Sequence, residues 1–216
     1  MICLDQGTIF DIICANLSGW TTVHLAHPQF KPSAVLVPLI DAKDGPELVF
    51  TVRTSKVGKH KGEISFPGGA FEEEHDQSLH NTAIREANEE INISPDQITI
   101  LGDLDDFCTM TRYIIHPVVA HVSPPYNFRP EKTEVAEIFT VPLEFFKDST
   151  HFEEKMMSIA DWDFGVYYFR NGNHTIWGAT ANIIVNFLEA ALKFLMPVSL
   201  RKRPSPELLL ALLEKI

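Results

Sequence analysis

The sequence predicts an α/β (α+β) fold, an α/β/α sandwich in which a mixed β-sheet lies between helices. Three observations carry this. Strand-like and helix-like segments alternate along the chain, but without the regular βαβ rhythm of a doubly wound fold. The 216 residues are 45% hydrophobic and 22% charged, an ordinary globular balance. That length suits one domain with peripheral additions and can bury a full core without staples.

The elements follow in order. Ile9, Ile12, Ile13 and Leu17 fit a short amphipathic helix. Ser33 to Ile40 (SAVLVPLI) is a continuous apolar run and reads as a buried strand. Asp41 to Pro46 is a turn rich in Asp, Gly and Pro, so Leu48 to Arg53 returns as the second strand of a hairpin. Thr54 to Gly62 is a polar loop. Ile64 to Phe66 is a short strand that runs into Pro67-Gly68-Gly69. Residues 70–76 form an acidic loop, and a helix runs from about Gln77 to Ile91. Ile98 to Phe107, Pro117 to Val122 and Val135 to Val141 are strand-like, with Pro124 and Pro125 breaking the chain between the last two. Glu144 to Lys147 is a short helix. Val166 to Arg170 and His174 to Trp177 form a hairpin about Asn171-Gly172. Residues 179–195 and 205–215 are helices. The chain divides into an N-terminal helical appendage (1–30), a central domain (31–200) and a C-terminal helix (201–216). The apolar segments 9–17 and 183–195 supply either core or a dimer surface, so a monomer and a homodimer are both compatible with the sequence.

The net charge of −11 and pI of about 5.2 argue against non-specific nucleic-acid binding, which needs Lys and Arg to neutralise phosphates. The run Arg201-Lys202-Arg203 is too short to change that. A small anionic nucleotide remains compatible if a cation mediates its binding. Cys3, Cys14 and Cys108 are odd in number and scattered, which suggests neither a disulfide framework nor a zinc cluster and points to a reducing, cytoplasmic setting. There is no apolar run near the roughly 20 residues that span a bilayer, and no signal-peptide pattern.

The segment from Gly68 to Ile93, GGAFEEEHDQSLHNTAIREANEEINI, carries the chemistry. On a helix, Glu86, Glu89 and Glu90 stand at i, i+3 and i+4 and share one face. Three carboxylates packed in this way repel one another unless cations compensate, and hard divalent cations prefer such oxygens and bridge to phosphates. Arg85 can hold Glu89 by an i,i+4 pair. Gly68 and Gly69 permit a sharp turn or a close backbone approach before the helix. A solvated acidic face is the alternative for an isolated EANEE string. Upstream, Arg53, Lys56, Lys59, His60 and Lys61 form the dense basic cluster near this motif and could steer an anionic nucleotide.

Arg85-Glu86-Ala87-Asn88-Glu89-Glu90, preceded by Gly69, resembles the Nudix box, G-x5-E-x7-R-E-U-x-E-E-x-G-U, where U is a bulky apolar residue. The R-E-x-x-E-E half is intact. The gap from Gly69 to Arg85 is two residues longer than in the box. Counting forward from Gly69 reaches His75 and counting back from Arg85 reaches Gln77, so Glu72, Glu73 and Glu74 compete as neighbours for the role of the first glutamate. The first U is Ala87, and the late glycine is Asn92, a residue that tolerates the left-handed conformation of a helix end. The resemblance implies a Nudix-type sandwich, a pyrophosphatase activity dependent on Mg²⁺ or Mn²⁺, Glu86 and Glu90 as metal ligands with Glu89 assisting, and Arg85 and Glu89 as catalytic residues. It implies for Glu134 a role as base or further ligand; a strand-edge acid is the bland alternative.

A longer resemblance covers residues 33–181. Leu48 to Gly69, LVFTVRTSKVGKHKGEISFPGG, is similar to the signature of the coenzyme A pyrophosphatase branch, with Arg53, His60, Gly62, Phe66, Pro67, Gly68 and Gly69 in register. Gly58 replaces the branch's second arginine, with Lys59 beside it. Glu134-Val135-Ala136-Glu137 and Trp177-Gly178-Ala179-Thr180-Ala181 resemble two later segments of the same branch. This implies hydrolysis of the coenzyme A diphosphate, with Arg53, Lys59, His60, Gly68 and Gly69 at the substrate. ADP-ribose, a nucleotide sugar or another nucleoside diphosphate derivative is the sister reading, and a Nudix-fold module without activity is the rival from another class. His116 is read as structural at a strand start, and Trp162 and Trp177 as core residues.

Overall fold

The computed structural model describes residues 8–54, 62–159, 162–199 and 204–214. In chain order the elements are α1 (Ile9–Ser18), β1 (Lys31–Ile40), β2 (Glu47–Arg53), β3 (Ile64–Ser65), β4 (Gly68–Ala70), α2 (Leu79–Ile91), β5 (Ile98–Asp103), β6 (Phe107–Cys108), β7 (Tyr113–Val122), β8 (Val135–Pro142), β9 (Phe152–Ile159), β10 (Trp162–Asn171), β11 (His174–Trp177), α3 (Gly178–Leu192) and α4 (Pro206–Leu213). A 3₁₀ turn at Leu143–Lys147 fills the short helix expected there.

The main sheet is mixed. β1 lies parallel to β7 along its whole length, from Lys31 opposite Tyr113 to Ile40 opposite Val122. Its other edge is shared. Leu39 and Ile40 pair antiparallel with β2, while Ser33, Ala34 and Val35 pair antiparallel with β4. β1 therefore changes partner midway, and the Gly68-Gly69 segment enters the sheet at that fork. β2 leaves β1 to pair with β3 and β8, and β5 and β6 pair with β7. β9, β10 and β11 form a second, antiparallel sheet.

The alternation of side chains along β1 and β7 sorts the core into two layers. Ala34, Leu36, Val118, Ala120 and Val122 pack with Ala83, Ala87 and Ile91 of α2 on one face. Val37, Leu39 and Val119 face the larger core built with α1 and α3. Helices thus cover both faces, as the sequence predicts. Ala87 is fully buried between helix and sheet, which is why a small residue stands at that position of the motif. The apolar faces of segments 9–17 and 183–195 are used inside the chain: Phe10, Ile13, Cys14 and Leu17 pack in the same core as Ile183, Ile184, Phe187 and Leu188.

Some boundaries differ from expectation. The segment 98–107 is two strands, because the run Leu104-Asp105-Asp106 leaves the sheet to bond the chain at 20–25. β9 was not expected; its burial is slight, so its sequence lacks a clean alternation. β4 forms where only a turn or close approach was anticipated. Trp177 is 43% exposed and stacks on Tyr168 at 6.1 Å and 7° rather than lying in the core.

Candidate active site

Ser78 caps the start of α2 by accepting from the Asn81 N–H, and Asn92 ends the helix in the left-handed conformation at φ 60°, ψ 39°, as its place in the motif suggests. The apolar stripe of Ala83, Ala87 and Ile91 sits on the sheet. That seating turns Glu86 and Glu90 toward β4, with Glu89 exposed and Glu90 only 4% exposed.

The Gly68 N–H donates to Glu90 Oε2 at 3.3 Å. A side chain at Gly68 would run into the Ala34 carbonyl and Val35, and one at Gly69 into the Glu86 carboxylate. The two glycines therefore let the backbone of β4 lie directly against both the sheet and the acidic face of α2. This is the close approach read from the sequence, and it brings Gly68 and Gly69 to the predicted glutamates.

Arg85 organises the same region. Its Nε and Nη2 donate to Asp76 Oδ1 and Oδ2, both at 3.0 Å, and Nη2 also donates to the Ala70 carbonyl at 3.2 Å. Its Nη1 donates to Glu86 Oε1 at 2.9 Å and to Glu89 Oε2 at 3.0 Å. Asp76 further accepts from the Thr82 hydroxyl at 2.9 Å and the Glu72 N–H at 3.0 Å. The carboxylate that clamps this arginine is thus Asp76, while Glu72, Glu73 and Glu74, the residues weighed for the first acid of the motif, are exposed. The loop's acidity had drawn attention to the glutamates. The discriminating feature is the following Ser78 cap, which folds Asp76 back over the first turn of the helix.

Hydrogen bonds from Arg85 hold Asp76 down at about 2 against the desolvation of its buried carboxyl. Glu90 moves the other way. Burial and the neighbouring Glu86 charge push it up to about 8, with Arg53 and the Gly68 N–H only partly offsetting them. Burial likewise raises Glu86, against the pull of Arg85. The Glu134 charge adds to the rise of both, which places its side chain within electrostatic reach of the pair. Arg53 also lies within electrostatic reach of Glu90, with the opposite effect, and its buried Nε has no hydrogen-bond partner among the described residues. Lys59 and His60, with Lys56, Gly58 and Lys61, lie outside the described residues. Beside Val52 an open groove of about 520 Å³ is lined by Ile64, Glu137, Tyr168, His174 and Trp177.

Residues 30–159 match the family model described as NUDIX domain. The chain belongs to the Nudix family. It is 35% identical over 152 residues to an uncharacterized Nudix hydrolase, NudL, of Photorhabdus laumondii, covering 70% of this chain and 80% of that one. It is 33% identical over 202 residues to the human mitochondrial coenzyme A diphosphatase NUDT8, covering 89% of this chain and 81% of that one. A solved MutT/nudix family protein from Enterococcus faecalis covers 79% of this chain and 65% of its own at 14% identity and a TM-score of 0.48. As a Nudix hydrolase the chain is a pyrophosphatase, a class that generally uses divalent metals. The chemistry of this chain's donors suits such an ion: Glu86 and Glu90 offer carboxylate oxygens from one helix face, burial raises both, and the Glu86 charge raises Glu90 further. No helix among the described residues is long and apolar enough to cross a membrane.

Proposed function

We propose that this Nudix hydrolase cleaves the diphosphate of coenzyme A, and of acyl-coenzyme A, to 4'-phosphopantetheine and adenosine 3',5'-bisphosphate, using Mg²⁺ or Mn²⁺. The observation that carries the substrate is the 33% identity, over most of both chains, to a protein named for that reaction. The in-register residues Arg53 and Phe66 to Gly69 agree with it.

In this reading Glu86 and Glu90 would hold the ion, with the exposed Glu89 assisting. A hard divalent cation held there would supply charge neutralisation for the diphosphate and a more acidic attacking water. Glu134 accepts the water's proton at a carboxylate oxygen. Arg85 keeps Glu86 and Glu89 in place while itself anchored by Asp76. Arg53, with its open Nε, meets a phosphate oxygen, and Lys59 and His60, which lie outside the described residues, are proposed to add positive charge for the same anionic substrate. Gly68 and Gly69 keep the β4 backbone against the acidic face of α2, where the diphosphate is proposed to bind. The exposed Trp177 face and Tyr168 give the groove a flat apolar wall on which an adenine can stack. Water oxygen adds to one phosphorus, the bridging P–O bond breaks, and the leaving phosphate takes up a proton.

The replacement at Gly58 favours a second reading, in which ADP-ribose or another nucleoside diphosphate derivative is the substrate. Incubating the purified protein side by side with coenzyme A and ADP-ribose, each with Mg²⁺ or Mn²⁺, separates the two. Phosphopantetheine and the 3',5'-bisphosphate are expected from coenzyme A. Rapid cleavage of ADP-ribose with coenzyme A untouched would reject the first reading. The protein acts as a monomer or homodimer. A reducing compartment suits the buried thiols of Cys14 and Cys108, and we place the chain in the cytoplasm; the mitochondrial naming of the human relative makes cell fractionation the deciding measurement.

A further inference from the structure

We infer that the first turn of α2 carries a second metal site, separate from the glutamate face, in which His80, Asp103 and His116 bind a borderline transition-metal ion such as Zn²⁺. The ligand atoms of these three side chains lie within 4.8 Å of one another. They come from three elements: His80 from α2, Asp103 from the end of β5, and His116 from within β7. Asp103 Oδ1 is 3.4 Å from His116 Nε2 and 2.7 Å from His80 Nε2. A tetrahedral ion about 2.0–2.1 Å from each donor needs donors about 3.3 Å apart. The first separation already meets this. The second needs a small outward movement of His80, whose side chain is 40% exposed and free to make it.

Two further features point to a ligand. His116 is 5% exposed, and its Nδ1 is fixed 2.7 Å from the buried Asp106 carboxylate, leaving Nε2 to face Asp103. Asp106 is itself held by the Leu25 N–H at 2.7 Å. A carboxylate behind an imidazole is the usual outer-shell support of a metal-bound histidine, fixing its tautomer and orientation. The second feature is a bulge in β5. Its register with β7 shifts between Ile100 and Gly102, and Gly102 takes φ 154° with a would-be Cβ only 2.7 Å from Leu17. The bulge re-aims Asp103 toward the histidines. Two imidazoles and one carboxylate suit Zn²⁺ or its congeners better than Mg²⁺, whose preference is for oxygen. His80 precedes Glu90 by ten residues, or about 15 Å of helix, so the two ion sites are distinct. Bound there, the ion pins the start of the catalytic helix to β5 and β7. This inference does not depend on which diphosphate is the substrate.

Co²⁺ titration of the chelator-treated full chain tests it, in excess Mg²⁺ so that the carboxylate face is filled. The wild type is expected to develop the visible absorption of nitrogen-ligated Co²⁺, saturating at one ion per chain and bleached by Zn²⁺. Glu90→Gln should keep the band and His80→Ala should lose it. Asp106→Asn, which keeps the shape of the residue and removes the charge behind His116, should weaken Co²⁺ affinity roughly 10–100-fold. His80→Ala is half-exposed and expected to fold, which circular dichroism checks; should it not, Asp106→Asn alone decides. A folded wild type without the band, a band that survives His80→Ala, or an affinity unmoved by Asp106→Asn overturns the proposal.

Discussion

Asp76 and Glu90 are both buried to within a few per cent, yet burial leaves one carboxylate strongly acidic and the other weakly acidic. The difference lies in their partners. Asp76 receives two guanidinium N–H groups, a hydroxyl and a backbone N–H. Glu90 receives one backbone N–H at 3.3 Å and faces another carboxylate. A buried charge that is fully paired belongs to the scaffold. One that is left short of positive charge is a functional-site candidate, which is the basis for proposing Glu90 as a ligand of the reaction's cation.

The comparison breaks most visibly at Glu90. Glu90→Gln keeps the shape and removes the charge. A metal contributes several kcal/mol of charge stabilisation, and at about 1.4 kcal/mol per tenfold this corresponds to a loss of roughly 10²-fold or more in kcat. Because Glu90, pushed up to about 8, is largely protonated at pH 7 without metal, Gln replaces it isosterically and the Tm in chelator should not fall below that of the parent. Near-normal turnover at saturating Mg²⁺ would remove Glu90 from the metal site. The same parent protein should lose activity in chelator and regain it on adding Mg²⁺ or Mn²⁺.

Asp76→Asn should do the reverse, lowering stability first. The depression of Asp76 from 3.8 to about 2 is worth on the order of 2 kcal/mol at neutral pH. The sign follows from the direction of the shift. A carboxylate more acidic in the folded state contributes its full stability above pH 3.8 and loses it as pH falls toward about 2. Urea unfolding at pH 6 and pH 2.5 should therefore show a large gap between parent and Asp76→Asn at the higher pH and a narrower one at the lower. An equal gap at both would mean that Arg85 is not the cause. Ile91→Ala supplies a reference from the other face of the helix. It should cost about 2–5 kcal/mol through the cavity it leaves, with metal half-saturation unchanged among the folded molecules.

The contrast between the two acids was only half legible in the sequence. Helical spacing puts Glu86, Glu89 and Glu90 on one face, and the structure brings Glu90 to Gly68 and Glu86 to Gly69, with Glu89 exposed. The resemblance of Trp177 to Ala181 to a known segment also has a physical basis, since the Thr180 hydroxyl ties the start of α3 to the Ile64 carbonyl at 3.0 Å. Asp76 was missed because a loop carries no periodicity, so one acid among several neighbours cannot be ranked by spacing. Asp103, Asp106 and His116 converge through a strand register and a bulge, which are tertiary facts. β9 was invisible for a related reason: its faces are too evenly exposed to leave a pattern.

Glu89 sharpens the comparison because it stands between the two cases. It is exposed and accepts one Arg85 bond, so as a member of the arginine clamp it should matter little; exposed ion pairs of this kind are worth about 0.3–0.5 kcal/mol. As a ligand completing the ion's shell it should matter to metal binding. Glu89→Gln is expected to leave the Tm of the metal-free protein nearly unchanged and to raise the Mg²⁺ concentration for half-maximal rate several-fold, with a smaller loss of kcat than Glu90→Gln. A substitution that lowers Tm as much as Asp76→Asn does, while leaving the Mg²⁺ curve in place, would assign Glu89 to the clamp. Its exposure argues against that outcome, because a carboxylate already in water loses little when its single arginine contact is gone, whereas an ion at the proposed Glu86 and Glu90 site would gain from a further oxygen donor.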